Sequence, residues 1–159
     1  MDELEHWARR EPDKPALIFP ETGETMTYAA LDAQANRAAQ WLIDQGLAGG
    51  DMIDLLLDNR PEAVELAWAA RRAGLYYALL NTHLTPNELA YLIRDSGARL
   101  LLTTRALLRG VSDELRAAPP AAVVDGSAAG CIDYAEALAA YPEQRPLPDR
   151  PVGAPFLYS

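Results

Sequence analysis

Along the chain, the apolar positions alternate between the two-residue repeat of strands and the repeat of about 3.6 residues that marks helices. Ala16-Leu17-Ile18-Phe19 reads as a strand, and Pro20 to Gly23 turns the chain so that Glu24 to Tyr28 returns beside it as a hairpin. From Ala29 to Gln45 the period is helical. Leu31, Ala35, Ala38 and Leu42 fall on one face, and Gly46 stands just past the end. Asp51 to Leu57 is a near-continuous apolar run, as suits a strand covered on both faces. Pro61 then opens a helix to about Ala73, with Val64, Ala67, Trp68 and Arg71 on or near one face, and Gly74 closes it.

The alternation continues. Leu75 to Leu80 is a strand core. Thr85 and Glu88 have the spacing of a capping box, with Pro86 at the first helical position and Leu89, Leu92, Ile93 and Ser96 facing inward. Arg99 to Thr103 is a strand, Arg105 to Ala117 a helix, and Ala122-Val123-Val124 a short strand. Asp133 and Glu136 suggest a second capping box ahead of a helix reaching Tyr141. Strand and helix thus repeat about four times with short connections. This predicts an α/β fold: a mostly parallel sheet with helices on both faces.

The two ends differ. Leu4, Trp7 and Ala8 share one face of a short first helix, which Glu11-Pro12-Asp13 stops. Between Pro142 and Pro155 the chain carries five prolines, a linker-like composition. Phe156-Leu157-Tyr158-Ser159 is again strand-like, so the pattern predicts that the next element continues in a longer polypeptide. The alternative is a terminal strand closing a complete small domain. The expected organisation is an α/β subdomain over 1–141 and a proline-rich segment over 142–159.

Composition narrows the function. Fourteen basic residues stand against 23 acidic ones, a net charge of −9. That disfavours a nucleic-acid binder, which needs a basic stripe, and a polybasic membrane anchor. The lone cysteine, Cys131, allows no intramolecular disulfide and no cysteine-rich metal site. No apolar run is long enough to span a bilayer, and the charged N-terminus has no signal-peptide core. The expected setting is cytoplasmic.

Open parallel sheets bind ligands beyond the carboxyl ends of their strands. Candidate polar groups therefore come from Asp58-Asn59-Arg60, Asn81-Thr82-His83 and Thr103-Thr104-Arg105. Asn59 and Asn81 suit capping and loop structure at least as well as ligand contact. His83 can titrate near neutrality but has no acidic partner identifiable by spacing, and His6 sits in the first helix. Asp54 and Asp58 flank a buried-looking strand, a poor place for a metal. Trp41, Trp68, Tyr76 and Tyr77 are expected to pack against neighbouring elements. The loop Asp125 to Gly130 follows a strand, yet no helix begins at once after it. No dinucleotide, P-loop, zinc or nucleophile-elbow motif is present. No catalytic or metal-ligating residue is assigned.

Several segments carry a resemblance in order: "TYAALDAQANRAA", "DNRPE" at Asp58–Glu62, "RAGLYYALLN" at Arg72–Asn81, and "LTPNELAYLIRDSGARLLLT". With these, the chain resembles the N-terminal part of the large domain of the AMP-forming acyl-CoA synthetases, in the adenylate-forming superfamily. The likeness is clear over residues 5–105 and looser after that. It implies ATP, Mg²⁺ and coenzyme A as cofactors and a carboxylic acid as substrate, fatty or steroid-side-chain-like by the "RRAGLYYALLNTHLT" stretch. A homodimer is an expectation by the same analogy. The family's phosphate loop opens as [YF]-[ST]-S-G-T-T-G, so Tyr158 and Ser159 match its first two positions, and Ser159 is the one expected cofactor-binding residue. Ala30 and His83 stand where the family often has glutamate and arginine. Two alternatives remain: an adenylating enzyme that loads a carrier-protein thiol, and a stand-alone Rossmann-like binding or interaction module. On the first reading these 159 residues alone are expected to be inactive.

Overall fold

The computed structural model describes residues 1–111, 119–144 and 146–158. Its first elements are α1 (Glu3–Arg10), β1 (Pro15–Phe19), β2 (Glu24–Thr27) and α2 (Tyr28–Asp44). Asp2 caps α1 by accepting from the Glu5 N–H at 2.8 Å. Thr27 caps α2 by accepting from the Ala30 N–H; alanine at that position has no side chain to return the bond. β1 and β2 pair as an antiparallel hairpin apart from the main sheet.

The main sheet takes its strands from the rest of the chain. They are β3 (Met52–Leu56), β4 (Tyr76–Leu79), β5 (Leu100–Thr103), β6 (Ala121–Val123), β7 (Ile132–Asp133) and β8 (Ala154–Pro155). Their spatial order is β7-β6-β5-β3-β4-β8, and every pairing is parallel. Between them run α3 (Pro61–Ala73), α4 (Pro86–Ser96), α5 (Arg105–Leu108) and α6 (Tyr134–Ala139). The expected helix at Arg105 begins as foreseen; residues 112–118 of its expected span lie outside the described residues.

The helices cover both sheet faces. On one, Leu42 of α2, Leu66 and Ala70 of α3 and Tyr134 of α6 pack on Ile53, Leu55 and Leu102. On the other, Leu89 and Ile93 of α4 and Leu108 of α5 pack on Leu56, Ala78, Leu101 and Val123. Each fully buried leucine or isoleucine contributes about 1.5–3 kcal/mol of transfer free energy. The stripe Leu31, Ala35, Ala38 and Leu42 is buried throughout, as the spacing predicts.

Helix α3 departs from its expected face. Leu66, Ala69, Ala70 and Ala73 are the residues buried on the sheet. Val64 and Trp68 instead join a small cluster with Leu4, Leu31 and Ala35. The helix lies between the sheet and the α1–α2 pair, so it has two inward faces, and the bulkier residues mark only the second.

The C-terminal segment also differs from expectation. The strand is Ala154–Pro155, ahead of the apolar run Phe156–Tyr158, and Ser159 lies outside the described residues. The Phe156 N–H donates to the Tyr77 carbonyl at 2.7 Å. That alternation turns Pro155, which has no N–H, away from β4, an orientation an edge strand tolerates. Gly153 makes this docking possible: a Cβ there would stand 2.0 Å from the Leu75 carbonyl oxygen. Nor is the proline-rich stretch a free tether. Gln40 Nε2 donates to the Pro142 carbonyl at 2.9 Å, and Arg150 Nη1 donates to the carbonyls of Leu47 and Ala73. β7 had no recognisable signal, because two residues carry no period.

Candidate functional site

The strand order places the site. From β3 the chain crosses to β4 on one side, then returns past β3 to β5 on the other. The crossovers diverge at that point, which leaves a crevice at the carboxyl ends of β3 and β5. The segments after β3, β5, β4 and β6 therefore share one edge, and the predicted polar groups lie on them.

After β3, Asp58 and Asn59 are exposed, and Asp58 Oδ1 accepts from Arg60 Nε at 2.7 Å. Arg60 is the N-cap residue of α3 and makes no side-chain capping bond; Pro61 follows at the first helical position. The capping role considered for Asn59 is thus not found, because the cap falls one residue later. Partial burial works against the Arg60 charge. The carboxylates of Asp58, Glu62 and Asp125 outweigh it and hold the guanidinium above its usual pKa. Asp125 belongs to the segment after β6, so Arg60 feels charge from across the end of β5.

After β5, Thr104 caps α5 by accepting from the Leu107 N–H at 3.1 Å. The Arg105 N–H donates to Asp125 Oδ1 at 2.9 Å, and its side chain approaches the same oxygen at 3.8 Å. The Arg105 guanidinium also lies 3.3 Å from where a Cβ on Gly126 would sit, and Gly126 has a φ of +132°. Glycine is needed there on both counts. Thr103 Oγ1 is buried and has no partner among the described residues. After β4, Asn81 Oδ1 accepts from the His83 N–H at 2.9 Å, a turn bond, and leaves the His83 side chain in solvent. The predicted capping box follows, with Thr85 and Glu88 exchanging both bonds. At Asp133 the forward bond to the Glu136 N–H forms at 3.1 Å.

This edge therefore joins two guanidinium groups, Arg60 and Arg105, around Asp125. It offers positive charge suited to an anion, and His83, the titratable ring nearest to it in sequence, points away. Two open hollows lie elsewhere. The larger, about 1300 Å³, is lined by Asp2, Asp32, Arg72 and Glu143 among others. The smaller, about 500 Å³, lies at the amino edge, by Gly97, Arg99 and Pro120. Among the described residues no group of three His, Cys, Asp or Glu side chains is placed to hold a metal ion. No helix is long and apolar enough to cross a membrane, again among the described residues.

The aromatic residues mostly pack. Trp41 meets Tyr134 edge to face at 5.7 Å, Trp68 carries Arg71 over its ring at 5.1 Å, and Tyr77 is buried. Tyr76 is the exception, nearly half exposed on β4. Cys131 is half-buried beside the α4–α5 cluster.

Two buried acids were not singled out for what they do. Asp54 and Asp58, adjacent on the sequence-level list, have opposite environments: Asp54 is fully buried and Asp58 exposed. Burial pushes the Asp54 carboxyl up to about 6, although the Ser96 hydroxyl bond draws it down. Glu65, on α3, is pushed up to about 7 by burial and by the nearby Glu62 charge. The available signal for Asp54 was an acid inside "MIDLLL". Glu65 had none, since a glutamate in an amphipathic helix normally faces water.

Comparison with known proteins adds to this geometry. Residues 4–153 match the model of a family described as AMP-binding enzyme. The chain is 36% identical over 105 residues to the human long-chain fatty acid transport protein 1, covering 66% of this chain and 16% of that protein. It is 34% identical over 128 residues to 4-coumarate–CoA ligase 3 of Oryza sativa subsp. japonica, covering 80% and 23%. Among solved structures, the Mycobacterium tuberculosis fatty acyl CoA synthetase superposes with a TM-score of 0.76 at 29% identity, over 90% of this chain and 28% of that one. The Bacillus subtilis O-succinylbenzoate coenzyme A synthetase, solved with ATP and magnesium ion, gives 0.69 at 28% identity, over 86% and 33%. The chain thus spans about a quarter or less of the length of the two curated relatives.

Proposed function

Since the chain belongs to the AMP-binding enzyme family, we propose that the complete protein carrying it is an ATP-dependent acid–thiol ligase that makes acyl-CoA. The observation that carries this reading is the family match across residues 4–153. The names of the relatives support it and point to a long-chain fatty, or similarly apolar, carboxylic acid.

The chemistry has two steps. A free carboxylate is a poor electrophile, so its oxygen first attacks the α-phosphorus of ATP and pyrophosphate leaves. The thiol sulfur of coenzyme A then attacks the acyl carbon and AMP leaves, a far better leaving group than oxide. Negative charge builds around phosphorus in the first step, and preorganised donors stabilise it. In this chain Arg60 and Arg105 supply positive charge at the sheet edge, and on this reading Tyr158 opens the phosphate-binding segment. The described residues do not form a Mg²⁺ site, so no step here is assigned to that ion.

The 159 residues by themselves are proposed to be inactive as a ligase, because they present no general acid or base at that edge. The test is ATP–pyrophosphate exchange by the complete protein against a panel of short, long-chain, aromatic and steroidal acids. Thioester formation is then followed with coenzyme A and, separately, with a phosphopantetheinyl carrier protein. Acid-dependent exchange followed by acyl-CoA supports the reading. Transfer only to the carrier protein would replace the acceptor, and absence of exchange with every acid would overturn the reading.

A further inference from the structure

Asp54 is unusual in this fold. It lies in the central strand β3, between Ala78 of β4 and Leu101 of β5, and is fully buried. Strand alternation puts its side chain on the same face as Leu56, among the residues beneath α4. A carboxyl group in such a place is costly unless its atoms are bonded.

The bonding can be followed atom by atom. Ser96, the last residue of α4, has its hydroxyl oxygen 2.8 Å from Asp54 Oδ2 and 3.0 Å from the Ile93 carbonyl. The same oxygen accepts from the Ala98 N–H at 3.2 Å. A hydroxyl has one proton. With that proton on the Ile93 carbonyl, the bond to Asp54 needs a proton from Asp54, which is then a neutral acid donating to Ser96. Burial favours that form. Asp54 Oδ1 is left as an acceptor without a partner among the described residues.

One hydroxyl is close to this group. Tyr158 packs its ring against the α4–α5 cluster. Its oxygen faces Asp95 and Ser96 and lies within electrostatic reach of Asp54. Tyr158 comes just after β8, whose two paired residues hold the segment weakly by themselves. Phe156 and Leu157, the residues between, are exposed.

We propose that Asp54, Asp95 and Ser96 form a polar catch for the Tyr158 hydroxyl, which sets the course of the chain as it leaves the sheet edge. The catch makes Asp54 a positioning residue for whatever follows Tyr158. Its bearing on catalysis rests on the function proposed above, in which Tyr158 opens the phosphate-binding segment. An apolar residue at position 54 would pack at least as well, so the acid is retained for direction and not for stability.

The test uses the complete protein with Tyr158→Phe, Asp54→Leu and Asp54→Asn. Two quantities are read: hydrogen–deuterium exchange of peptides covering 154–158, and the KM for ATP against kcat in ATP–pyrophosphate exchange. Loss of one hydrogen bond corresponds to about a three- to tenfold change. Tyr158→Phe and Asp54→Leu are expected to speed exchange at 154–158 and raise KM by about that factor, with kcat changed less than about twofold. Asp54→Asn keeps an acceptor and a donor and is expected to behave as the unmodified protein. Unchanged exchange rates in both Tyr158→Phe and Asp54→Leu overturn the catch. Faster exchange with unchanged KM overturns its role in positioning. If the unmodified protein shows no ATP–pyrophosphate exchange, the functional reading falls, and hydrogen exchange at 154–158 still decides the catch.

Discussion

The Tyr134 hydroxyl donates to Glu65 Oε1 at 3.1 Å, inside the apolar layer that joins α3 to α6. Tyr134 is 2% exposed and Glu65 4%, so neither group exchanges this bond for water. The pair ties the last described helix to the centre of the fold. Burial, with the neighbouring Glu62 charge, pushes the Glu65 carboxyl from 4.5 up to about 7.

That shift has a defined sign. The folded state keeps the Glu65 proton over a pH range in which the unfolded chain has lost it. Its contribution to stability is therefore complete below about 4.5 and declines as pH rises to about 7, by about 1–3 kcal/mol. Glu65→Gln should flatten this part of the profile, because it keeps an acceptor and removes the titration. Urea denaturation from pH 4.5 to 8 measures it; equal slopes for the two proteins would refute the assignment.

Tyr134→Phe keeps the ring that packs on Trp41 and leaves Glu65 without its hydroxyl donor. A loss of about 1–3 kcal/mol is expected. The loss should be smallest at low pH, where the acid is neutral in both states. Denaturation at two pH values checks it.

Arg72 holds three elements together. It donates to both carboxylate oxygens of Asp2 at 2.7 and 3.0 Å, and to Asp32 Oδ1 at 2.6 Å. Arg72→Ala should cost about 1.5–3 kcal/mol and free α1 first, because Asp2 also caps that helix. Arg72→Lys should recover only part of this, since an ammonium cannot copy the planar fork. Hydrogen exchange on residues 3–10 would show whether α1 loosens before the rest.

Gly153→Ala should undock β8. The added methyl would meet the backbone oxygen of Leu75, which cannot move aside without breaking the sheet edge. The expected cost is about 1–3 kcal/mol. Limited proteolysis should then cut within 150–158 while the body of the protein survives; unaltered cleavage would show that β8 does not hold the segment.

Leu79 and Leu157, 59% and 84% exposed, lie near the β8 edge together with Phe156 and Tyr76. An edge strand beside exposed apolar side chains invites pairing. The 159-residue chain by itself should self-associate, and Leu157→Asp with Phe156→Asp should lower its apparent mass in light scattering. A monomer before substitution would count against this.

The repeating elements were legible from the chain alone, because burial on both faces writes a continuous apolar run for a parallel strand and a periodic stripe for each covering helix. The run Leu55-Leu56-Leu57, the stripe Leu31 to Leu42 and the Thr85–Glu88 capping box all depend on neighbours within one turn or one strand. The carboxyl-edge segments were legible for the same reason: each follows a strand, and all strands point one way.

Contacts between distant segments were decided only in three dimensions. Strand order brought Asp125 to Arg60 and Arg105, residues from three separate loops. The two inward faces of α3 arose because it lies between the sheet and α1. β8 formed at Ala154–Pro155 since Gly153 alone could pass so close to Leu75. Asp54 and Glu65 owe their raised pKa values to atoms far along the chain, including Ser96 and Tyr134. Desolvation and hydrogen-bond geometry depend on what closes over a side chain, and that is a property of packing, not of local sequence.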